Sequence, residues 1–469
     1  MAENAFRLTH NYWVRPGYGR SLKLERIGPL WQESAGERLV AALLRGDRDS
    51  ARAELSALRT VELVKACGQH AGQIVNLIYD RIWQLGLAEQ LAEHSASSDT
   101  SLFEMLRAST TAASLRSTRY NDIFLRLLDV LEDSKDAVVW IKGPVLARTL
   151  YKKPEFRISV DFDFIVKPEC AQQILNRLES EHFQPLWDAC GHSHPFGTGP
   201  VGSLHNISLT PSREYEPFHD ITLRRDGWPL VEIKSDPWNR GLKANELDRF
   251  FGECEPVLWE GRTFFAPSVV DHLIIQLVHF HKHGFHGWHW LYDIHLLIGK
   301  ISECPRLWTD FVRRCRAEGT DISAWAGLEI ARDRLASLVP TEVLDELAPS
   351  SSMFSNVFTF TVSPEFLWNA ESLPMLLLNA VFLGDQRRKV RVLLECLAPS
   401  RQFLSDYYCG GAAKLNCWRA MFLLLVHWLV LTLPSGLVRL TFGRFLWAQR
   451  PNNVLSSPKA KRVTATAGH

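Results

Sequence analysis

The segment from Ala137 to His182 constrains the fold most, because strand and helix patterns alternate within it. AVVWIKG is a short apolar run that ends in glycine, which is typical of a buried strand before a turn. PVLARTLYKK has helical spacing with a proline near its first turn. SVDFDFIVK alternates like a strand, and Pro168 opens a second helical segment. This order predicts an α/β core.

Extended segments follow this core, and helical segments flank it. HDITLRR and PLVEIKS are joined around Asp226-Gly227, which predicts a hairpin, and LHNISLT is a further strand candidate. We therefore predict an α+β protein with a central mixed-sheet core between two helical regions. The predicted boundaries are 1–135 for the N-terminal helical region, 136–266 for the core, 267–450 for the C-terminal helical region and 451–469 for a disordered polar tail.

Charge and cysteine usage exclude several classes of protein. With 53 Lys plus Arg against 52 Asp plus Glu, the chain has no global field that would hold nucleic acid, so a polyanion would need a local patch. The nine cysteines are scattered without a CxxC pair, and the first residues lack the apolar core of a signal peptide. Both features indicate a cytoplasmic protein.

The C-terminal part combines an apolar run with a basic end. The run from Ala420 to Leu433 is shorter than the ~20 residues that span a bilayer. From Tyr407 onwards there are eight Lys and Arg and no Asp or Glu. Two alternatives remain, a buried helix followed by a basic surface segment or a peripheral contact with an anionic membrane surface.

The sharpest chemical signal is Asp161-Phe162-Asp163. Side chains alternate along a strand, so both carboxylates are expected on one exposed face, opposite Phe162. Carboxylate oxygens suit Mg²⁺, and paired carboxylates are typical of phosphoryl chemistry. The alternative is an ordinary solvated strand face, but aspartate is a poor strand former and interrupts an aromatic, β-branched run.

A second signal is Lys142-Gly143-Pro144 at the predicted strand-to-helix junction. Glycine lets the backbone approach a ligand, and free N–H groups at a helix start attract phosphate, although Pro144 lacks one. Arg157 is a candidate phosphate clamp. Taken alone, the tripeptide is also compatible with an ordinary turn.

The succession WIKGPVLARTLYKKPEFRISVDFDFIVKPE resembles the DNA polymerase β-like nucleotidyltransferases, and more closely their family of uncharacterised bacterial nucleotidyltransferases. The resemblance extends through PLVEIKSDPW to a His-containing helix that ends in Asp, and covers about Val138 to Leu297. It implies that Asp161 and Asp163 bind Mg²⁺ and a nucleoside triphosphate. Glu232 would be the third carboxylate, helping to hold the metal and activate the acceptor hydroxyl, with Asp236 as a competitor for this role.

The same resemblance implies that Gly143 belongs to a phosphate-binding turn and that Lys142 and Arg157 neutralise the triphosphate. The chain departs from the superfamily pattern, because Gly-Pro stands where Gly-Ser or Gly-Gly is common, and no hydroxyl is available in the turn itself. Lys234 shares a strand face with Glu232 and is a candidate substrate contact.

The third signal is the cluster HFHKHGFHGWHW. His279 and His283 lie four residues apart, so on a helix they face the same way and are expected to border the cleft as substrate contacts. A transition-metal site is the alternative, although HExxH is absent.

These signals together predict transfer of a nucleoside monophosphate from an NTP, with Mg²⁺ or alternatively Mn²⁺, to an acceptor hydroxyl or phosphate. A small molecule, peptide or protein is favoured over nucleic acid, since no basic stripe with interleaved aromatics marks the core. Peptide and natural-product modification is one setting that the resemblance implies. The alternatives are a metallohydrolase built on the histidines and a non-catalytic nucleotide- or peptide-binding module.

Overall fold

A computed structural model describes residues 35–57, 72–96, 102–185, 220–234, 237, 244–282, 285, 287–349 and 417–432. The helices within these ranges are α1 Ala35–Arg45, α2 Arg48–Ala57, α3 Val75–Gln84, α4 Ala88–Ala96, α5 Leu102–Val130, α6 Gly143–Thr149, α7 Ala171–Ser180, α8 Ala244–Gly252, α9 Val269–Lys282, α10 Trp288–Ser302, α11 Arg306–Glu318, α12 Asp321–Leu335, α13 Thr341–Leu347 and α14 Cys417–Thr432. The strands are β1 Val138–Ile141, β2 Asp161–Val166, β3 Gln184–Pro185, β4 Asp220–Arg224, β5 Leu230–Lys234, β6 Glu255–Trp259 and β7 Arg262–Ala266.

The strands form one mixed sheet in the order β3-β4-β5-β2-β1-β7-β6. Strand β1 is antiparallel to β2 and parallel to β7, while β2 is parallel to β5. The hairpin β4–β5 turns at Gly227, whose φ of +78° suits glycine. Helices precede and follow the sheet, so the predicted α+β class is confirmed. The strand candidate LHNISLT lies outside the described residues, and the predicted domain boundaries stay predictions.

The two faces of the sheet are buried in different hydrophobic clusters. The outer face carries Phe162 and Phe164 of β2, which pack with Phe124 of α5. The inner face carries Ile141 and Ile165, which belong to a cluster that also contains residues of the N-terminal and C-terminal helices. The alternation of the strands therefore divides the aromatic face from the face that carries the two aspartates.

His272 of α9 gives the inner helical layer a pH-dependent stability. The imidazole is buried, its Nε2 has no hydrogen-bond partner among the described residues, and burial lowers its pKa to about 3. The unfolded chain, with a His pKa of about 6.5, takes up this proton first, so the free energy of unfolding falls as the pH drops below about 6.5.

Between pH 7 and pH 5, we expect the free energy of unfolding of the wild type to fall by about 2 kcal/mol more than that of His272→Leu. Urea unfolding at both pH values measures it. Equal losses of stability in the two proteins would contradict the assignment, because they would show that His272 takes no part.

The apolar C-terminal run lies in α14, where Trp418, Met421, Phe422 and Leu425 are exposed. None of the helices in the described ranges is long and apolar enough to cross a membrane. Contact of the basic C-terminal end with a membrane surface stays a prediction, and the predicted tail at 451–469 lies outside the described residues.

Candidate active site

Three acidic residues lie on the inner face of two neighbouring strands. Asp161 and Asp163 lie on β2, and Glu232 of β5 is the pairing partner of Asp163 in a parallel ladder. Neighbouring strands are about 4.8 Å apart, so Glu232 lies directly beside Asp163. The expected solvated face is wrong for Asp163, which is only 2% exposed, because helices cover the inner face of the sheet.

Two lysines stand between these carboxylates. The Lys142 Nζ donates a hydrogen bond of 3.0 Å to Asp163 Oδ1. The Lys234 Nζ lies 3.0 Å from Glu232 Oε2 and 3.5 Å from Asp163 Oδ1. Both lysines are buried. Three carboxylates against two ammonium groups leave an excess of one negative charge when all are ionised.

Burial and mutual repulsion shape the electrostatics of the site. Desolvation raises the pKa of Asp163 to about 7, against the opposing effect of Lys142. Desolvation and the Glu232 carboxylate raise the pKa of Asp161. Lys234 instead lowers the pKa of Glu232. Two of the three carboxyls are therefore difficult to ionise without more positive charge nearby.

The turn between β1 and α6 approaches the carboxylates closely. Lys142 has φ 58° and Gly143 has φ +25°, both in the half of backbone space that L side chains rarely adopt. A Cβ at Gly143 would lie 2.9 Å from Ser159 Oγ and 3.4 Å from the Asp161 carbonyl oxygen. Only glycine fits at this point, and strained backbone of this kind concentrates at functional sites.

Ser159 is a site residue that the sequence reasoning missed. Its hydroxyl lies against Gly143, although the residue comes from the approach to β2 and not from the turn. A hydroxyl is thus present beside the turn in spite of the Gly-Pro departure. The available signal was its position two residues before Asp161, in the alternating segment SVDFD.

Arg157 has partners other than an open phosphate site. Its Nε lies 3.1 and 3.0 Å from the two carboxylate oxygens of Asp293, and its Nη1 donates to Gln73 Oε1 at 2.6 Å. Tyr151 donates to the same Asp293 carboxylate at 2.7 Å. These buried contacts do not support the expected phosphate clamp. The Arg157 charge nevertheless opposes part of the rise in the pKa of Asp161 that desolvation causes.

The histidines are placed by packing contacts where the structure describes them. His279 is half-buried, with its ring edge-to-face to Trp290 at 5.0 Å. The His281 Nδ1 is 3.0 Å from Ser323 Oγ. His283 lies outside the described residues, so its expected position beside the cleft stays a prediction.

No metal-binding group is preformed in the described part of the chain. Nowhere there do three or more His, Cys, Asp or Glu side chains converge so that they could hold an ion as they stand. Asp163 and Glu232 instead converge on Lys142 and Lys234. A cation that binds Asp163 would therefore have to displace the Lys142 ammonium from its hydrogen bond with Asp163 Oδ1.

Comparison with known proteins identifies one matching family. No curated protein and no solved structure matches the chain. The sequence model of one protein family, described as uncharacterised nucleotidyltransferase, matches residues 62–336, which is more than half of the chain. The matched range includes β1, the Lys142-Gly143 turn, β2, β5 and helices α9 to α12, which contribute to the hydrophobic cluster on the inner face. The chain therefore belongs to this family of uncharacterised nucleotidyltransferases.

Proposed function

We propose that the protein is a polymerase β-like enzyme that transfers a nucleoside monophosphate from an NTP to an acceptor hydroxyl or phosphate, with Mg²⁺ as the metal. The observation that carries this proposal is the placement of Asp161, Asp163 and Glu232 on one face of two adjacent strands, beside the glycine turn from which helix α6 begins. Membership in a nucleotidyltransferase family supports the same reaction class.

The chemistry of the side chains fits a divalent cation. All three acidic groups offer the hard oxygen ligands that Mg²⁺ prefers, and their charge exceeds that of the two lysines. The raised pKa values of Asp161 and Asp163 support this proposal, because a bound cation would stabilise the ionised form of both carboxyl groups. When bound by these carboxylates, Mg²⁺ would supply charge neutralisation and alignment of the phosphates, and Mn²⁺ could replace it.

Lys142 and the turn are the proposed triphosphate-binding elements. We infer that the Lys142 ammonium leaves Asp163 for a phosphate oxygen when the NTP and the cation enter together, since that exchange keeps every charge paired. Gly143 lets the backbone approach the phosphates, and the Ser159 hydroxyl is close enough to this turn to donate to them. Lys234 would stay with Glu232 as a fixed countercharge.

The proposed reaction is one in-line displacement. The acceptor oxygen forms a bond to the α-phosphorus, the bond from that phosphorus to the bridging oxygen breaks, and pyrophosphate leaves with the electron pair. Glu232 helps to activate the acceptor by taking up its proton. Small molecules, peptides and proteins are the favoured acceptors, and His279 and His283 are candidate contacts for them.

Labelled transfer tests the function. The full chain is incubated with each of the four α-labelled NTPs, Mg²⁺ or Mn²⁺, and small-molecule or peptide fractions, and both labelled product and pyrophosphate are measured. We expect equimolar product and pyrophosphate. NTP binding without pyrophosphate would support the binding-module alternative, and stoichiometric zinc with NTP-independent hydrolysis would support the metallohydrolase.

Lys142→Ala is expected to weaken NTP binding at least about tenfold, because it removes a buried countercharge to the triphosphate. Lys152→Ala is the matched control, since Lys152 is exposed and lies shortly after α6. Titration with labelled NTP gives the dissociation constants, and thermal unfolding shows whether both proteins are folded. Unchanged NTP affinity in folded Lys142→Ala would contradict the assigned role.

A further inference from the structure

A cavity of about 360 Å³ lies between α5, α6, the end of β6 and residues 154–159, which lead into β2. Its wall includes Ser114, Ser117, Asn121, Arg148, Phe162 and Trp259. Strand β2 contributes Phe162, whose side chain points away from the face that carries Asp161 and Asp163. The volume lies within the range of small-molecule sites in proteins.

Helix α5 presents an unusual polar stripe to this cavity. The stripe has the spacing i, i+3, i+4 and i+7 and consists of Ser114, Ser117, Thr118 and Asn121. These residue types favour a helix interior less than Ala, Leu, Lys or Arg do, so four of them in one stripe call for a reason outside the helix. The exposed face of the same helix is charged, with Arg116, Arg119, Asp122 and Arg126. Uncharged hydrogen-bonding groups therefore mark the cavity side.

Arg148 lies in the cavity wall together with Arg157 and Glu155, and unlike Arg157 it has no ion-paired carboxylate among the described residues. The guanidinium donates to the Pro144 carbonyl and to Asn121 Oδ1. It also lies 4.6 Å from the ring centroid of Phe124 and 4.9 Å from that of Trp259. Among the described residues, no carboxylate lies within ion-pair distance of it, and its Nε is buried without a hydrogen-bond partner.

Two buried arginines of the fold, in contrast to Arg148, form ion pairs with carboxylates. Arg157 is paired with Asp293 at 3.0 Å, and Arg314 with Asp271 at 2.8 Å. Arg148 is half-buried and feels the Glu260 carboxylate only from beyond Asn121, to which Glu260 is hydrogen-bonded. Desolvation outweighs the effect of Glu260 and lowers the pKa of Arg148 to about 10. An anionic ligand would supply the missing charge.

We propose that this cavity is a binding site for a small molecule with a carboxylate or phosphate group for Arg148 and a flat apolar part for the wall formed by Pro144 and Trp259. The Ser114 and Ser117 hydroxyls would donate to its remaining oxygens, whereas the Thr118 hydroxyl already donates to the Ser114 carbonyl. A guanidinium matches the planar geometry of both anions. The proposal concerns binding only. Because Ser159 lines the cavity and also lies beside the proposed triphosphate turn, the probes are titrated without NTP, so that a failure of this site is distinguished from a failure of the transfer reaction.

Two probes and their neutral counterparts test the site. Benzoate and phenyl phosphate carry the two anions on the same ring, and benzamide and phenol lack the charge. Calorimetric titration of the full chain, without NTP or divalent metal, measures binding. We expect at least one anion to bind with a dissociation constant on the order of 1 mM or below, at least about tenfold more tightly than its neutral counterpart. The stronger anion identifies the ligand class.

Two variants locate the binding. Arg148→Met removes the charge at similar length, and Ser117→Phe fills the cavity from α5 while leaving Arg148 in place. Each should weaken anion binding at least about tenfold, whereas Arg116→Met on the exposed face of α5 should leave it unchanged. If Arg148→Met does not fold, Ser117→Phe decides. Anion binding that survives Ser117→Phe, equal binding of the neutral probes, or no saturable binding would overturn the proposal.

Discussion

Asp163→Asn is expected to lower nucleotide transfer at least about 100-fold, because the amide cannot supply the anionic oxygen that faces Lys142 and Lys234. The same oxygen is the proposed ligand for the cation. The measurement is the initial rate of labelled product formation at saturating NTP and Mg²⁺. Transfer at the wild-type rate in this variant would refute the proposed mechanism, even though the fold would be unaffected.

Because Asp163 is buried, the loss of activity must be separated from a loss of structure. The amide keeps the shape of the side chain, so the far-ultraviolet circular dichroism should stay the same, with a lower melting temperature from the weakened lysine contact. Asp136→Asn is the matched control, since Asp136 is exposed immediately before β1. That protein should retain full transfer activity.

Asp293→Leu is expected to lower the free energy of unfolding by about 3–5 kcal/mol, because Arg157 would remain charged in a buried site without its carboxylate. Tyr151 would lose its acceptor in the same change. Urea unfolding followed by circular dichroism gives the value. A loss below about 1 kcal/mol would show that the ion pair is dispensable.

Two further variants identify the cause of that loss. The double variant Arg157→Met with Asp293→Leu should recover much of the stability, because an apolar pair removes the uncompensated charge. Glu303→Gln is the matched control. Glu303 follows α10, the helix that carries Asp293, and pairs with Lys300 at 3.3 Å on the surface. Exposed pairs contribute about 0–1 kcal/mol, so this control should change little.

The local features of the fold could be predicted because they depend on neighbours in the chain. The strand-turn-helix at Lys142-Gly143 and the hairpin around Asp226-Gly227 follow from spacing and turn residues alone. The place of β2 between β1 and β5 could not be predicted, since strand order is decided by contacts far apart in sequence.

The candidate site also has features that neighbouring residues predict and features that depend on distant contacts. The spacing of Asp161 and Asp163 places them on one face, but it contains no information about the helices that cover this face and bury Asp163. The pairing of Arg157 with Asp293 joins residues 136 positions apart, and no local pattern indicates it. The local sequence shows no partner for Arg157, and its position near two carboxylates therefore leads to the prediction of a phosphate clamp.

The cover of the inner face also has a consequence for protein synthesis. Leu43 of α1, Ile141 of β1 and Leu273 of α9 belong to one hydrophobic cluster. The inner face is therefore covered only when helices that precede β1 in the sequence and helices that follow β7 have both packed against it. As the nascent chain leaves the ribosome, β1 and β2 emerge more than 100 residues before the end of α9. During this interval their inner face exposes apolar side chains, which makes the growing chain a client for chaperones.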